Sequence, residues 1–103
     1  MATVRTATFT ARDKFNAGAA TPLKKMVNQT INVIGVCVAE KADGEMAGYI
    51  KADNGEIYAT ISNSVMDQLI DLAEMLTEEG TIMVRVLEKL SNAGRTYYML
   101  NIE

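Results

Sequence analysis

Hydrophobic and polar positions alternate with two different periods along this chain, and the changes of period mark its elements. Thr30 to Glu40 reads Thr-Ile-Asn-Val-Ile-Gly-Val-Cys-Val-Ala-Glu, a β-branched run with a glycine at its middle. A long strand that must bulge or bend sharply places a glycine there. After the loop Lys41-Ala-Asp-Gly-Glu45, residues 46–62 read as two strands joined at Asp53-Asn54-Gly55. Asn and Gly tolerate positive φ, so this cluster between alternating runs predicts a hairpin. The period then lengthens. Val65, Met66, Leu69, Ile70, Ala73 and Leu76 recur at helical spacing, with Ser64 and Asp67 placed as a capping box and Gly80 placed to end the helix. Strand character returns over 81–90 and, past Ser91-Asn-Ala-Gly94, over 95–102.

Upstream of residue 30 the pattern is weaker. Residues 1–9 alternate loosely, consistent with an extended or a disordered segment. Thr10 to Asn16 predicts a short helical turn, with Thr10 as cap and Asp13 three residues on. Thr21-Pro22 predicts a second helix start, with Thr as N-cap and the chain's one proline at the first helical position. That turn would carry Leu23, Met26 and Val27 inward and Lys24 and Lys25 outward. Phe15 is expected to anchor the first turn to the core.

Three strands, a helix, then two strands is the order of an OB-fold, a five-stranded, partly open barrel with the helix between strands three and four. The expected organisation is a short helical N-terminal extension over 1–29 and an OB-fold domain over 30–103.

Strand alternation then sorts side chains by face. Gly48, Ile50 and Ala52, with Ile57, Ala59 and Ile61, are expected to face the core. The outward set is Tyr49, Lys51, Tyr58, Thr60, Arg85, Lys89, Arg95 and Tyr97. Tyrosines interleaved with cations suit single-stranded nucleic acid: bases stack on rings whatever their identity, and cations follow the phosphates. Each tyrosine taken singly fits strand packing as well as ligand contact, and OB-folds also hold sugars and protein partners. The joint placement is what points to nucleic acid.

Charge sharpens this picture. The net charge is −3, yet residues 1–30 carry five basic residues against Asp13 alone, leaving five basic against twelve acidic downstream. Asp67, Asp71, Glu74, Glu78 and Glu79 crowd onto the expected helix, a solvated face or an acidic docking surface. With no histidine and one cysteine, no zinc site and no cofactor is expected, and Cys37 reads as a buried small hydrophobe. No histidine, phosphate-binding glycine loop or metal-ligand spacing is present, and Asp67 and Asp71 read as helix-surface neighbours, so the reading is of a protein that is not an enzyme. No stretch approaches the roughly 20 apolar residues that span a bilayer, and no secretory signal is evident, so a cytoplasmic location is expected.

Asp53-Asn-Gly-Glu-Ile-Tyr-Ala-Thr60-Ile-Ser62, the acidic helix after it, Ser91-Asn-Ala-Gly-Arg95, Thr10-Ala-Arg-Asp-Lys-Phe15 and Pro22-Leu-Lys-Lys-Met26 together resemble the small OB-fold single-stranded DNA-binding proteins encoded by phages and mobile elements of Gram-positive bacteria. That resemblance implies a protein that coats single-stranded DNA during DNA replication or recombination in the bacterial host cytoplasm. It carries Tyr58, Thr60 and Arg95 over as binding positions, and it suggests replication or recombination proteins as partners. It does not carry over recruitment through a long acidic, glycine-rich tail, since the sequence ends at its last expected strand. The competing readings are an RNA-binding domain and a protein-interaction module that uses the acidic helix or a strand edge. Met83, Leu87 and Met99 are candidates for a homo-oligomeric contact.

Overall fold

A computed structural model describes residues 2–103; Met1 lies outside the described residues. The strands are β1 (Ala2–Ala7), β2 (Thr21–Pro22), β3 (Thr30–Glu40), β4 (Met46–Ala52), β5 (Ile57–Thr60), β6 (Ile82–Leu90) and β7 (Thr96–Ile102); the helices are α1 (Ala11–Asn16) and α2 (Asn63–Glu79). They form a curled open sheet, a half-barrel, in the order β2-β5-β4-β3-β6-β7, with β1 paired to β3. The expectation of five strands with a helix between the third and fourth is corrected. Among the described residues there are seven strands, and the long helix falls between the fifth and sixth. The extra two come from the N-terminal segment, whose loose alternation understated its capacity to pair. Among the described residues no helix is long and apolar enough to cross a membrane.

β3 organises the sheet. One of its edges pairs with β4 along most of its length; the other serves β6 through Thr30–Val33 and β1 through Val36–Glu40. The changeover falls at Gly35, where the β3–β4 register shifts. Before that bulge Ile31 and Val33 face the core, and after it Val36 and Val38 do. The extra residue swaps the parity. β1 ends against the same point, and a Cβ on Gly35 would collide with the Thr8 carbonyl. Backbone on both sides leaves nothing to give way, so Gly35→Ala should cost about 1–3 kcal/mol. The check is a lowered urea midpoint at unchanged slope; a wild-type midpoint would show that the β1–β3 junction yields.

Three hairpin loops share one geometry. In each, a glycine at positive φ (Gly44, Gly55, Gly94) donates its N–H to the carbonyl three residues earlier, at 2.9–3.0 Å. These are three-residue loops, which need a left-handed residue at the last position. Their length fixes the register: Glu40 meets Met46, Ile50 meets Tyr58 and Leu90 meets Thr96.

α2 fills the inner face of the curl. Val65, Met66, Leu69, Leu72, Ala73 and Leu76 pack onto Ile31, Val33, Val36, Ile50, Val84 and Val86. Leu72 takes the place expected of Ile70, which is exposed. The cap is Ser62, accepting from the Val65 N–H, and not Ser64. Starting earlier lets Val65 and Met66 enter the core in the first turn. Gly80 closes the helix at φ 79°. On its flank, the Gln68 side chain donates to the Leu100 carbonyl at 2.8 Å and accepts the Leu100 N–H at 2.7 Å, satisfying backbone groups of the edge strand β7.

The N-terminal segment covers the outer face. Phe9, Ala17 and Ala20 pack on Cys37, Ala39, Ala47, Tyr49 and Ile57, a second apolar cluster behind the main core. Cys37 is fully buried, and burial pushes its thiol pKa up. Thr10 and Asp13 form the expected capping box of α1. Thr21 does not cap a helix; with Pro22 it pairs in parallel with Tyr58 and Ala59, and a 3₁₀ turn follows over Leu23–Met26.

Candidate nucleic-acid interface

The eight expected site residues divide into three groups. Tyr49 and Tyr58 are both buried, and on opposite faces of the sheet. Tyr49 is 7% exposed on the outer face, under the N-terminal segment, its ring stacked on Phe9 at 6.2 Å between centroids. Burial, with a smaller contribution from Cys37, pushes its phenol pKa up. Tyr58 is 8% exposed and belongs to the main core.

Grouping Tyr49 with Tyr58 would require odd positions of one strand to pair with even positions of the other, as a two-residue Asn54-Gly55 turn would arrange. The loop has three residues, so Tyr49 faces Ala59 and Ile50 faces Tyr58. One residue of register reverses a whole strand. Ile61, expected inward, is exposed.

Lys51 and Thr60 have structural partners. The Lys51 ammonium lies 2.9 Å from one Asp13 carboxylate oxygen and 3.1 Å from the other. Thr60 is half-buried, and its hydroxyl accepts the Ser62 N–H at 3.0 Å, fixing the entry to α2. Arg85 is exposed but tied: its Nε donates to Glu103 at 2.8 Å and its Nη1 to the Asn28 carbonyl at 3.0 Å.

The remaining three come together. Lys89 and Tyr97 are direct cross-strand partners on the solvent face of β6 and β7, and Arg95 leads into the same end of β7. Tyr97 is 38% exposed. No carboxylate lies within ion-pair distance of Lys89 or Arg95 among the described residues. Here the alternation predicted the face correctly, because a single core lies behind these strands. Of the apolar candidates for self-association, Met83 is exposed while Leu87 and Met99 are half-buried.

Beside this face the curl stays open. A groove of about 460 Å³ separates the end of β5 from the start of β7, with Lys24 on one wall, Tyr97 and Tyr98 on the other, and Ser62 and Ser64 between them. Tyr98 faces Glu88 across the β6–β7 pair, and partial burial together with that carboxylate raises its phenol pKa. The exposed acids Asp67, Asp71, Glu74, Glu78 and Glu79 belong to α2, which packs on the inner face of the sheet, while the Lys89–Tyr97 pair lies on the outer one. The acidic stretch of α2, where Arg5 is ion-paired to Glu74 at 3.3 Å, and the Lys89–Tyr97 pair thus lie on opposite faces of the sheet.

Phe15 does not anchor α1 to the core. Expected in the core, it is 87% exposed, and Phe9 takes the buried place instead. Phe15 follows Arg12 and Lys14 on a short helical segment whose buried positions are Asp13 and Ala17.

No protein-family model matches the chain, and neither a curated protein nor a solved structure shows significant similarity to it.

Proposed function

We propose that the protein is a non-catalytic OB-fold that binds single-stranded DNA with little sequence preference, coating it during replication or recombination. The observation that carries this reading is the Lys89–Tyr97 pair beside Arg95, with Lys24 across the groove: an accessible ring among cations that have no carboxylate partner. An accessible ring accepts a stacked base of any identity, and unpaired cations exchange their counterions for phosphates. The strand order supports the fold assignment. β3, β4 and β5 form a meander, β6 runs antiparallel to β3 and β7 to β6, and the groove marks where a closed barrel would join β5 to β7. Tyr49 and Tyr58 leave the proposed contact set, and Tyr97 becomes its central ring.

The test is fluorescence-anisotropy titration of labelled oligo-dT at two salt concentrations, beside duplex DNA and oligo-U. With Lys24, Lys25, Lys89 and Arg95 each meeting a phosphate, log K should fall with log salt at a slope of about −3. Tyr97→Ala should weaken binding roughly 5- to 150-fold, the range for loss of one stacked base. Equal affinity for oligo-U would widen the ligand class to RNA. Absence of binding at low salt would remove nucleic acid altogether and leave a protein-interaction module.

A further inference from the structure

We propose that α1 carries a second nucleic-acid contact, in which Phe15 is a base-stacking platform and Arg12 a phosphate contact. A single strand longer than the β6–β7 face would then continue past Lys24 and Lys25 onto the N-terminal segment. The inference rests on the reading just given and extends it to a site on a different element.

Four of the six aromatic rings are accounted for by packing: Phe9, Tyr49 and Tyr58 are buried, and Tyr98 is half-buried against the main core. Tyr97 and Phe15 are the two exposed rings, and each has two basic residues nearby on its own element or the paired strand. Tyr97 sits beside Lys89 and Arg95; Phe15 sits on a helix with Arg12 and Lys14, neither of which has a carboxylate within ion-pair distance among the described residues. Arg12 and Phe15 are three residues apart and share one helix face.

A ring left in water adds nothing to the core, but α1 holds this one still. The helix is six residues long, too short to persist alone. It is fixed by its capping box, by the bonds from Thr10 and Lys51 to the buried Asp13 carboxylate, and by Ala17 seated in the outer cluster. Those anchors occupy one side of α1 and turn Arg12 and Phe15 to solvent. A pre-positioned ring loses little freedom on stacking, which favours binding.

The route between the two rings is continuous along the chain. From α1, Ala17 and Ala20 lie on the outer cluster, Thr21–Pro22 pairs with β5 at the groove, and Lys24 lines the groove opposite Tyr97. Both ends lie on the outer side of the sheet, away from the acidic α2.

The experiment is anisotropy titration of wild type, Phe15→Ala and Tyr97→Ala with oligo-dT of increasing length, from about 4 to about 16 nucleotides, the span of site sizes for one OB-fold. Wild-type affinity should rise with length beyond the point where Phe15→Ala levels off. Phe15→Ala should match wild type on the shortest oligonucleotides and bind the longest roughly 5-fold or more weakly, and Phe15→Trp should restore the difference. Tyr97→Ala should weaken binding at every length. If Phe15→Ala follows wild type throughout, the second contact is excluded while the β6–β7 reading stands. If wild type binds no oligonucleotide, both fall. Photocrosslinking of bromodeoxyuridine oligonucleotides to unmodified protein gives a readout that needs no variant: adducts should map to Phe15 as well as Tyr97, and adducts at Tyr97 alone would overturn the proposal.

Discussion

Tyr58→Ala should destabilise the protein by about 3–5 kcal/mol, the cost of removing a large aromatic side chain from a packed core. The ring stands directly across from Ile50 in the main cluster, and Thr21 pairs with the same residue from β2. Truncation would therefore open a cavity under α2 and loosen the strand that ties the N-terminal segment to the sheet. Domains of this size are held by only about 5–15 kcal/mol in total, so the variant should unfold at much lower urea. The Tyr58 hydroxyl makes no hydrogen bond within the protein among the described residues and is not a fully buried atom, so Tyr58→Phe should remain close to wild type. Under the proposed function, any loss of DNA binding by Tyr58→Ala should track the unfolded fraction and vanish under stabilising conditions. A well-folded Tyr58→Ala that binds weakly would return Tyr58 to the ligand face.

Asp13→Ala is expected to cost about 2–4 kcal/mol, combining the lost carboxylate half of a capping box with a broken, largely buried ion pair. Asp13 is 5% exposed, and its carboxylate accepts from the Thr10 N–H at 2.9 Å and from Lys51. Removing it would break the reciprocal half of the α1 capping box, the bond from the Thr10 N–H, and leave the Lys51 ammonium without its counter-charge. Burial alone would raise the Asp13 pKa, but the hydrogen bonds from Thr10 and Lys51 and the Lys51 charge outweigh it, so the carboxyl titrates below its ordinary value of 3.8. A depressed folded-state pKa stabilises above the unfolded-state value and is lost as pH falls through the folded one. The stability gap between wild type and Asp13→Asn should therefore stay constant from neutral pH down to about pH 5 and shrink below about pH 4. A gap that ignores pH would remove the ion pair from the account. Because α1 presents Phe15, Asp13→Asn should also flatten the length dependence of binding before the domain unfolds.

The elements from residue 30 onward were legible because each is specified by nearby residues. The glycine inside the Thr30–Glu40 strand, the loops ending in Gly44, Gly55 and Gly94, and the helical spacing from Val65 to Leu76 are local signals, and the structure uses each of them. The solvent face of β6 and β7 was legible too, since a single core lies behind it and alternation then separates buried from exposed side chains. The β4–β5 face was not. Both sides of that hairpin are covered, by α2 on one and by Phe9, Ala17 and Ala20 on the other. A strand buried on both faces carries no polar–apolar code to say which side meets solvent.

By itself, then, the sequence determined where the chain turns, where it coils and which period each segment follows. Only the tertiary structure decided which tyrosines are free. That depended on the register across the three-residue loop, which sets Tyr58 on the face opposite Tyr49, and on an N-terminal segment that folds back over Tyr49 and leaves Phe15 outside. Both are long-range outcomes: register propagates along a whole strand from one residue of loop, and the burial of a side chain depends on residues distant in sequence.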